Sequence, residues 1–464
     1  MNNQLDRIRR KLVLAAQADS EYRVFGAKSH RYRINEPLSS VELRRFEQTH
    51  GIVLPEAYAA FLTEIGNGGA GPYYGIHPLG TKQSIELDRI NQPATLLPKT
   101  SPDIAGGGTH APAPNPDPDT MSDEEYDEWV ARQVQGLLNI GEQGCSYETM
   151  LVITGEYRGK VVYLDLDSHR SFFTYEANFL DWYERWLDET IAGYDDSWFG
   201  IRRGGDDRSL MDLYAAATEE AVRLEALEGM LKLQEITEET ALFLEKLCRE
   251  SSGEAARRAL QVLAKTRFGR AEPLIRHKLN GTDAEGRLLA LQFIKWYMPP
   301  GERCFTEEII RLLPQEANAE AFRFMTYVLD DAGMDVLPWM LPFFRHPDKE
   351  FRVQAVHRAG KSARKAEYLS DFMTALEDPE VRVQLIAVQA LSDVPDPALL
   401  ESYERLLRQH RTDRDYVRSN VRRRLEEFGF ATMEEMERKV PASLLQVRGM
   451  LRTILDPYRR GRGR

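Results

Sequence analysis

Cysteine is scarce: three residues in 464, Cys145, Cys248 and Cys304. They lie far apart and form no Cys-x-x-Cys pair, which argues against a disulfide framework and against a thiolate zinc site. Free, buried thiols in a reducing cytoplasm are the expectation. No run of about 18 apolar residues occurs, so no transmembrane helix is expected. The N-terminus has basic residues ahead of Leu12–Ala16, an apolar run too short for a secretion signal and suited to an amphipathic helix. The nine histidines show no H-E-x-x-H or comparable spacing. No metal and no cofactor is expected.

What remains is a chain with 42% hydrophobic and 29% charged residues, soluble in character and too long for one core. Its charge of -12 is unevenly laid out: residues 1–205 and 206–404 each carry -10, whereas 405–464 carry +8. An acidic body ends in a basic segment.

Ser39 with Glu42 forms a capping box, in which a hydroxyl and a carboxylate satisfy amides at a helix start. Val41, Leu43 and Phe46 follow, and Gly51 stops the helix. After Leu54-Pro55, the spacing of Tyr58, Phe61, Leu62 and Ile65 predicts a second helix with one apolar face. A glycine-rich loop, Gly66-Asn67-Gly68-Gly69-Ala70-Gly71-Pro72, comes next, followed by Tyr73, Tyr74 and His77. Met150–Thr154 and Lys160–Leu166 read as a β-hairpin, and Phe172–Tyr175 as a further strand. Phe179, Tyr183, Trp186, Leu187 and Ile191 make a helical stripe suited to cover the sheet. The Pro-, Gly- and Asp-rich stretch 101–120 is expected to be a mobile loop. Gly200–Ser209 reads as a junction, flexible unless Trp198 and Phe199 pin it.

These blocks, in this order, resemble the SUKH superfamily in its Smi/Knr branch of cell-wall regulators and bacterial toxin-immunity proteins. The resemblance covers roughly Phe25–Ile191. It implies an α+β domain, placed at 1–200, with a mixed, mostly antiparallel sheet, flanking helices and a cleft that receives partner proteins. It further implies that the exposed loop residues from Asn67 to Tyr74 are plausible contacts; with His77, which follows the loop, the candidate partner-binding residues are Asn67, Gly68, Gly69, Tyr73, Tyr74 and His77. Exposed aromatics beside glycines suit that role because they offer rigid contact area at low entropic cost; an even split, one tyrosine buried and one exposed, is expected.

From residue 206 to 464 a repeat emerges. Pro347 and Pro379 lie 32 apart, each ahead of an Arg-Val-Gln; those arginines, Arg352 and Arg382, lie 30 apart, as do Arg257 and Arg287. Asp378-Pro379 reads as a helix start. Such a period predicts stacked helix pairs, an all-α solenoid. It resembles HEAT repeats and ends in the basic C-terminal segment.

Sharper chemistry fails on context. Gly66–Gly71 matches G-x-G-x-x-G, but a helix precedes it and no helix follows, so no dinucleotide fingerprint is formed. Gly155–Lys160 is one residue short of a phosphate-binding loop. Asp165 and Asp167 lack a third ligand, and His77 lacks a neighbouring nucleophile. The expectation is therefore a non-enzymatic, cytoplasmic protein-binding protein, immunity-type or regulatory, that occludes or scaffolds a partner such as a basic toxin. The alternative is a nucleic-acid-binding or glycosylase-like HEAT-repeat enzyme, for which the helical half offers Trp296, Trp339 and several arginines and the basic stretches 418–429 and 458–464 offer phosphate contacts. The acidic body disfavours nucleic acid.

Overall fold

The computed structural model describes residues 1–83, 85, 87–96, 121–168 and 170–456. The expected mobile loop at 101–120 and the basic tail Tyr458–Arg464 lie outside the described residues. Backbone contacts divide the chain into two compact units, Met1–Ala271 and Glu272–Arg464.

The first unit opens with helices α1 (Asn2–Ala18), α2 (Ala27–His30), α3 (Ser40–His50) and α4 (Glu56–Ala60), then α5 (Asp123–Val134). Four strands follow in sequence order as an antiparallel meander: β1 (Leu137–Gly144), β2 (Tyr147–Val152), β3 (Val161–Asp165) and β4 (Ser171–Phe173). Helix α6 (Phe179–Ile191) closes this α+β part of the unit. The sheet is apolar on both faces. Leu138, Ile140, Leu151, Val161 and Tyr163 join the cluster under α6, where Phe179, Tyr183, Trp186 and Leu187 are buried. Leu137, Met150, Val152, Val162 and Leu164 form the opposite cluster, with Leu96 and Val134. Burial on both sides explains why these strands read as continuous apolar runs rather than alternating ones. The chain is an α+β module followed by a long all-helical region.

The local signals act as their chemistry requires. Ser39 and Glu42 complete the capping box of α3, and Gly51 closes it at φ +63°. The stripe from Tyr58 to Ile65 is buried, but its second half is a π turn, in which Gly66 N–H donates to Phe61 O at 3.0 Å. One residue is thus slipped into the helix just before the glycine loop.

The structure adds two elements, β1 and α5. Strand β1 holds Asn139, Gly141 and Gly144 and shows two register shifts against β2, so its apolar alternation is broken. Helix α5 starts at a second capping box, Ser122 with Glu125, hidden behind the proline-rich stretch. The thiol expectation also needs correction: the cysteines are free, yet Cys145 and Cys304 are exposed. Each sits among turn residues rather than in an apolar stripe.

Helices α7 (Asp207–Ala216), α8 (Glu220–Met230), α9 (Glu238–Glu250) and α10 (Gly253–Thr266) pack as hairpins within the first unit. They are tied to the module by buried charge. Arg185 on α6 pairs with Glu176 at 2.6 Å and with Glu189 at 2.9 Å, and Glu189 also receives Lys232 at 2.9 Å. Lys232 further donates to Arg203 O at 2.6 Å. Burial pushes the Lys232 ammonium down to about 8, against the pull of Glu189, so it stays charged at neutral pH. Lys265 on α10 pairs with Asp195 at 2.8 Å. Phe199 is buried beside Trp182 and under the Arg185 guanidinium, whereas Trp198 stays exposed. The junction is therefore pinned by Phe199 alone of that pair.

His30 supplies a pH expectation for this unit. It is buried against Trp186 and Tyr32, and its Nδ1 accepts the Tyr32 amide at 3.1 Å. Burial lowers its pKa from 6.5 to about 4. Between those values the unfolded chain holds the extra proton, so stability falls as pH drops from 6.5 towards 4, by at most about 3 kcal/mol. Urea unfolding at pH 7 and pH 4.5 checks this: His30→Gln should lose less stability on acidification than the parent.

The division between units falls within α11 (Phe268–Leu279). The second unit continues with α12 (Ala284–Tyr297), α13 (Thr306–Leu312), α14 (Ala319–Asp331), α15 (Leu337–Met340), α16 (Lys349–Ala359) and α17 (Leu369–Leu376). It ends with α18 (Val381–Ala390), α19 (Leu400–Gln409), α20 (Val417–Glu426), α21 (Met433–Lys439) and α22 (Leu445–Leu455). Helices α12, α14, α16, α18 and α20 stack one on the next, which is how a solenoid buries faces that no single helix pair can cover.

The repeat register differs from the arginine spacing. Arg287, Arg352 and Gln384 each lie four residues after their helix N-cap, Asp283, Asp348 and Glu380. Each donates to the carbonyl six residues earlier, Gly281, His346 and Asp378. Each then reaches forward, to Glu316, Asp378 and His410. The prolines set the register, so Arg352 corresponds to Gln384. Arg382 is exposed and pairs backwards with Glu350 at 3.1 Å. Helix α18 likewise starts at Val381, two residues past the Asp378-Pro379 signal, because Asp378 caps the Glu380 amide and binds Arg352. Arg352→Met should cost about 3 kcal/mol by stranding buried Asp378. Arg382→Met should shift the urea midpoint by under about 0.5 kcal/mol equivalent, because exposed pairs contribute little.

Candidate functional site

The glycine-rich loop is woven into the fold rather than held out from it. Ala70 N–H donates to Arg33 O at 2.7 Å, and Asn35 N–H to Gly68 O at 3.1 Å. Gly69 and Ile76 exchange both backbone bonds at 2.8 Å, and His77 N–H donates to Ile140 O on β1 at 2.9 Å. The loop thereby covers the free edge of β1 with two short strand-like layers, which protects that edge from pairing with another chain. Close backbone approach is what requires glycine here. A Cβ on Gly68, at φ +81°, would lie 2.6 Å from Ile76 O; one on Gly69, at φ +111°, would lie 2.4 Å from Arg33 O.

The other candidate residues divide between fold and surface. Asn67 clips the loop: its Oδ1 accepts Leu79 N–H at 2.7 Å, and its carbonyl accepts from Asn35 Nδ2 at 2.9 Å. His77 is buried, with Nδ1 2.9 Å from Asn139 Oδ1, and Asn139 Nδ2 donates to Glu148 at 2.7 Å. Burial, then the nearby Lys82, lowers the His77 pKa, so the ring is neutral at pH 7. Tyr73 is half-buried, donates its hydroxyl to Phe199 O at 2.9 Å and packs edge-on against Tyr163. Tyr74 is 39% exposed. Of the six, Tyr74 offers most to a partner.

Phe25 stands against Tyr74, and exposed Trp198 lies in the segment that holds the Phe25 amide. Phe25, 47% exposed, contacts the Tyr74 ring at 5.4 Å and the Tyr73 ring at 6.2 Å. The Tyr74 ring lies over Gly144, the strand partner of exposed Tyr147. Trp198, 45% exposed, falls between Asp196, which accepts the Phe25 amide at 3.0 Å, and Phe199, which accepts the Tyr73 hydroxyl. Nothing in the pattern around Phe25 or Trp198 separates them from core aromatics; their placement depends on contacts across more than a hundred residues.

Residues 37–185 match the SMI1 / KNR4 family (SUKH-1). The matched segment runs from α3 into α6, whereas α1, Phe25 and Trp198 lie outside it. No curated protein matches the chain. Among solved structures, the complex of CpcE and CpcF of phycocyanin lyase from Nostoc sp. PCC7120 is similar at 13% identity. That likeness covers 55% of this chain and 96% of that one, at a TM-score of 0.27.

Elsewhere, Asp165, the buried last residue of β3, accepts from the Ser146 hydroxyl at 2.5 Å and from the Ser168 hydroxyl. Among the described residues no group of three or more His, Cys, Asp or Glu is arranged to hold a metal. Arg422 pairs with Glu426, and buried Arg424 with Glu427. Arg418 faces the carbonyls of Leu407 and His410. These three arginines are thus engaged within the helical region. No described helix is long and apolar enough to cross a membrane.

Proposed function

We propose that this chain is a cytoplasmic, non-enzymatic binding protein of immunity or regulatory type, which occludes or scaffolds a partner protein through its SUKH-1 module. The match of residues 37–185 to that family carries the reading. Asn67 Oδ1 and His77 Nδ1 are bonded within the fold, and what the loop turns outward is aromatic, the exposed Tyr74, suited to contact. The helical region, with HEAT-like stacking, supplies a second surface for the same complex.

Affinity capture with the intact chain, followed by identification of bound proteins, tests this. A specific partner should be recovered, and Tyr74→Ala should weaken it by about ten-fold, as for an anchor at an interface, while leaving unfolding within about 0.5 kcal/mol of the parent. Turnover of a substrate that vanishes on loss of one polar side chain would defeat the reading.

A further inference from the structure

Two carboxylates bind the backbone and side chains of the segment that carries exposed Phe25. Asp19 is buried and accepts the Arg23 amide at 2.6 Å and the Tyr32 hydroxyl at 2.8 Å. Asp196 accepts the Phe25 amide. Among the described residues, neither carboxylate has a cation in ion-pair range, while neighbouring Arg23 is taken by Glu21 and Asp195 by Lys265. Burial raises the Asp196 pKa, and the negative charges of Asp195 and Asp19 act in the same direction. A carboxylate held at the backbone of an exposed aromatic can attract a cationic side chain, through the ring quadrupole and the carboxylate together.

We propose that Phe25, Tyr74 and Trp198, with the Asp196 carboxylate, form a docking face for an arginine-bearing segment of a partner protein. This rests on the protein-binding reading and names the chemistry of its partner. Arginine fits better than lysine because a planar guanidinium can stack on a ring and still donate to a carboxylate.

The face is composite. Phe25 comes from the N-terminal turn, Tyr74 from the loop, and Asp196 with Trp198 from the segment after α6. That last wall is set by the helical hairpins: Asp195 N–H donates to Lys232 O at 2.8 Å, and Lys265 holds the Asp195 side chain. Although burial opposes its ionisation, hydrogen bonds from Lys265 and Ser197 keep Asp195 down to about 2. Lys265 is thus a positioning residue for a site it does not touch, and the appended hairpins have a role in recognition.

The test uses the full chain and fluorescein-labelled peptides of alternating glycine with arginine, glutamine or glutamate, titrated by fluorescence anisotropy. The arginine peptide should bind more tightly than the glutamine peptide, the glutamate peptide least, and the preference should shrink as salt is raised. Trp198→Ala should weaken arginine-peptide binding by about five-fold. Trp296→Ala, an exposed tryptophan in the helical region, should leave it unchanged. Lys265→Met should weaken it and Lys265→Arg restore it. Equal binding of the arginine and glutamine peptides, or equal losses at Trp198 and Trp296, would overturn the proposal. A captured partner whose binding survives Trp198→Ala would remove this face and leave the protein-binding reading standing. Failure to capture any partner would strike that reading instead, with the peptide titration still judging the face.

Discussion

Arg185→Met is expected to destabilise the first unit by about 3–5 kcal/mol, seen as a lower urea midpoint. Arg185, Glu176 and Glu189 are all at least nine-tenths removed from solvent at the side chain. Removing the guanidinium strands two carboxylates, of which, among the described residues, only Glu189 retains a cation, Lys232. It also takes a donor from Arg202 O and the charge lying over the Phe199 ring. The penalty comes from the uncompensated charge, not from the worth of the pair. Adding Glu176→Gln to Arg185→Met should therefore recover part of the loss. A midpoint unchanged within error in the single variant would mean the network contributes nothing.

Gly26→Ala carries the second large effect. Gly26 sits at φ +80°, and an added Cβ would fall 1.9 Å from the carbonyl oxygen of Tyr73. Neither backbone can yield cheaply, since Phe25 is tethered to Asp196 and Tyr73 to Phe199. A loss of about 2–4 kcal/mol is expected, combining left-handed strain with the clash. Gly193→Ala separates the two contributions: φ is +67° there, but nothing lies within 4 Å of the new Cβ. That control should cost only about 1–2 kcal/mol. Equal losses at the two positions would show that the contact between Gly26 and Tyr73 does not constrain the fold.

Elements with strong local chemistry were legible from the residues alone. The Ser39–Glu42 box, the Tyr58–Ile65 stripe and the hairpin around Gly155–Gly159 depend on neighbours within a few positions, and the structure forms all three. Strand β1 was not legible because its glycines and its bulges serve pairing with β2 and with the loop beside it. The repeats were legible as a period but not in register, because arginine spacing reported exposed Arg382 as well as buried Arg352. Prolines at the turn mark register better, since backbone geometry limits where they stand.

The candidate site was legible only in part. Gly68 and Gly69 stood out as glycines, and their purpose emerged only once Arg33 and Ile76 were found against them. Tyr74 was nameable from its loop; Phe25 and Trp198 were not.

Sequence by itself determined the class of the chain: an α+β module, stacked helices behind it, and a SUKH-like order of blocks, because capping, apolar period and turn chemistry are local properties. Tertiary structure alone decided which aromatics meet solvent and which carboxylates lack a cation. Both depend on segments as distant as Phe25 and Asp196 coming together, and no short-range preference encodes that meeting.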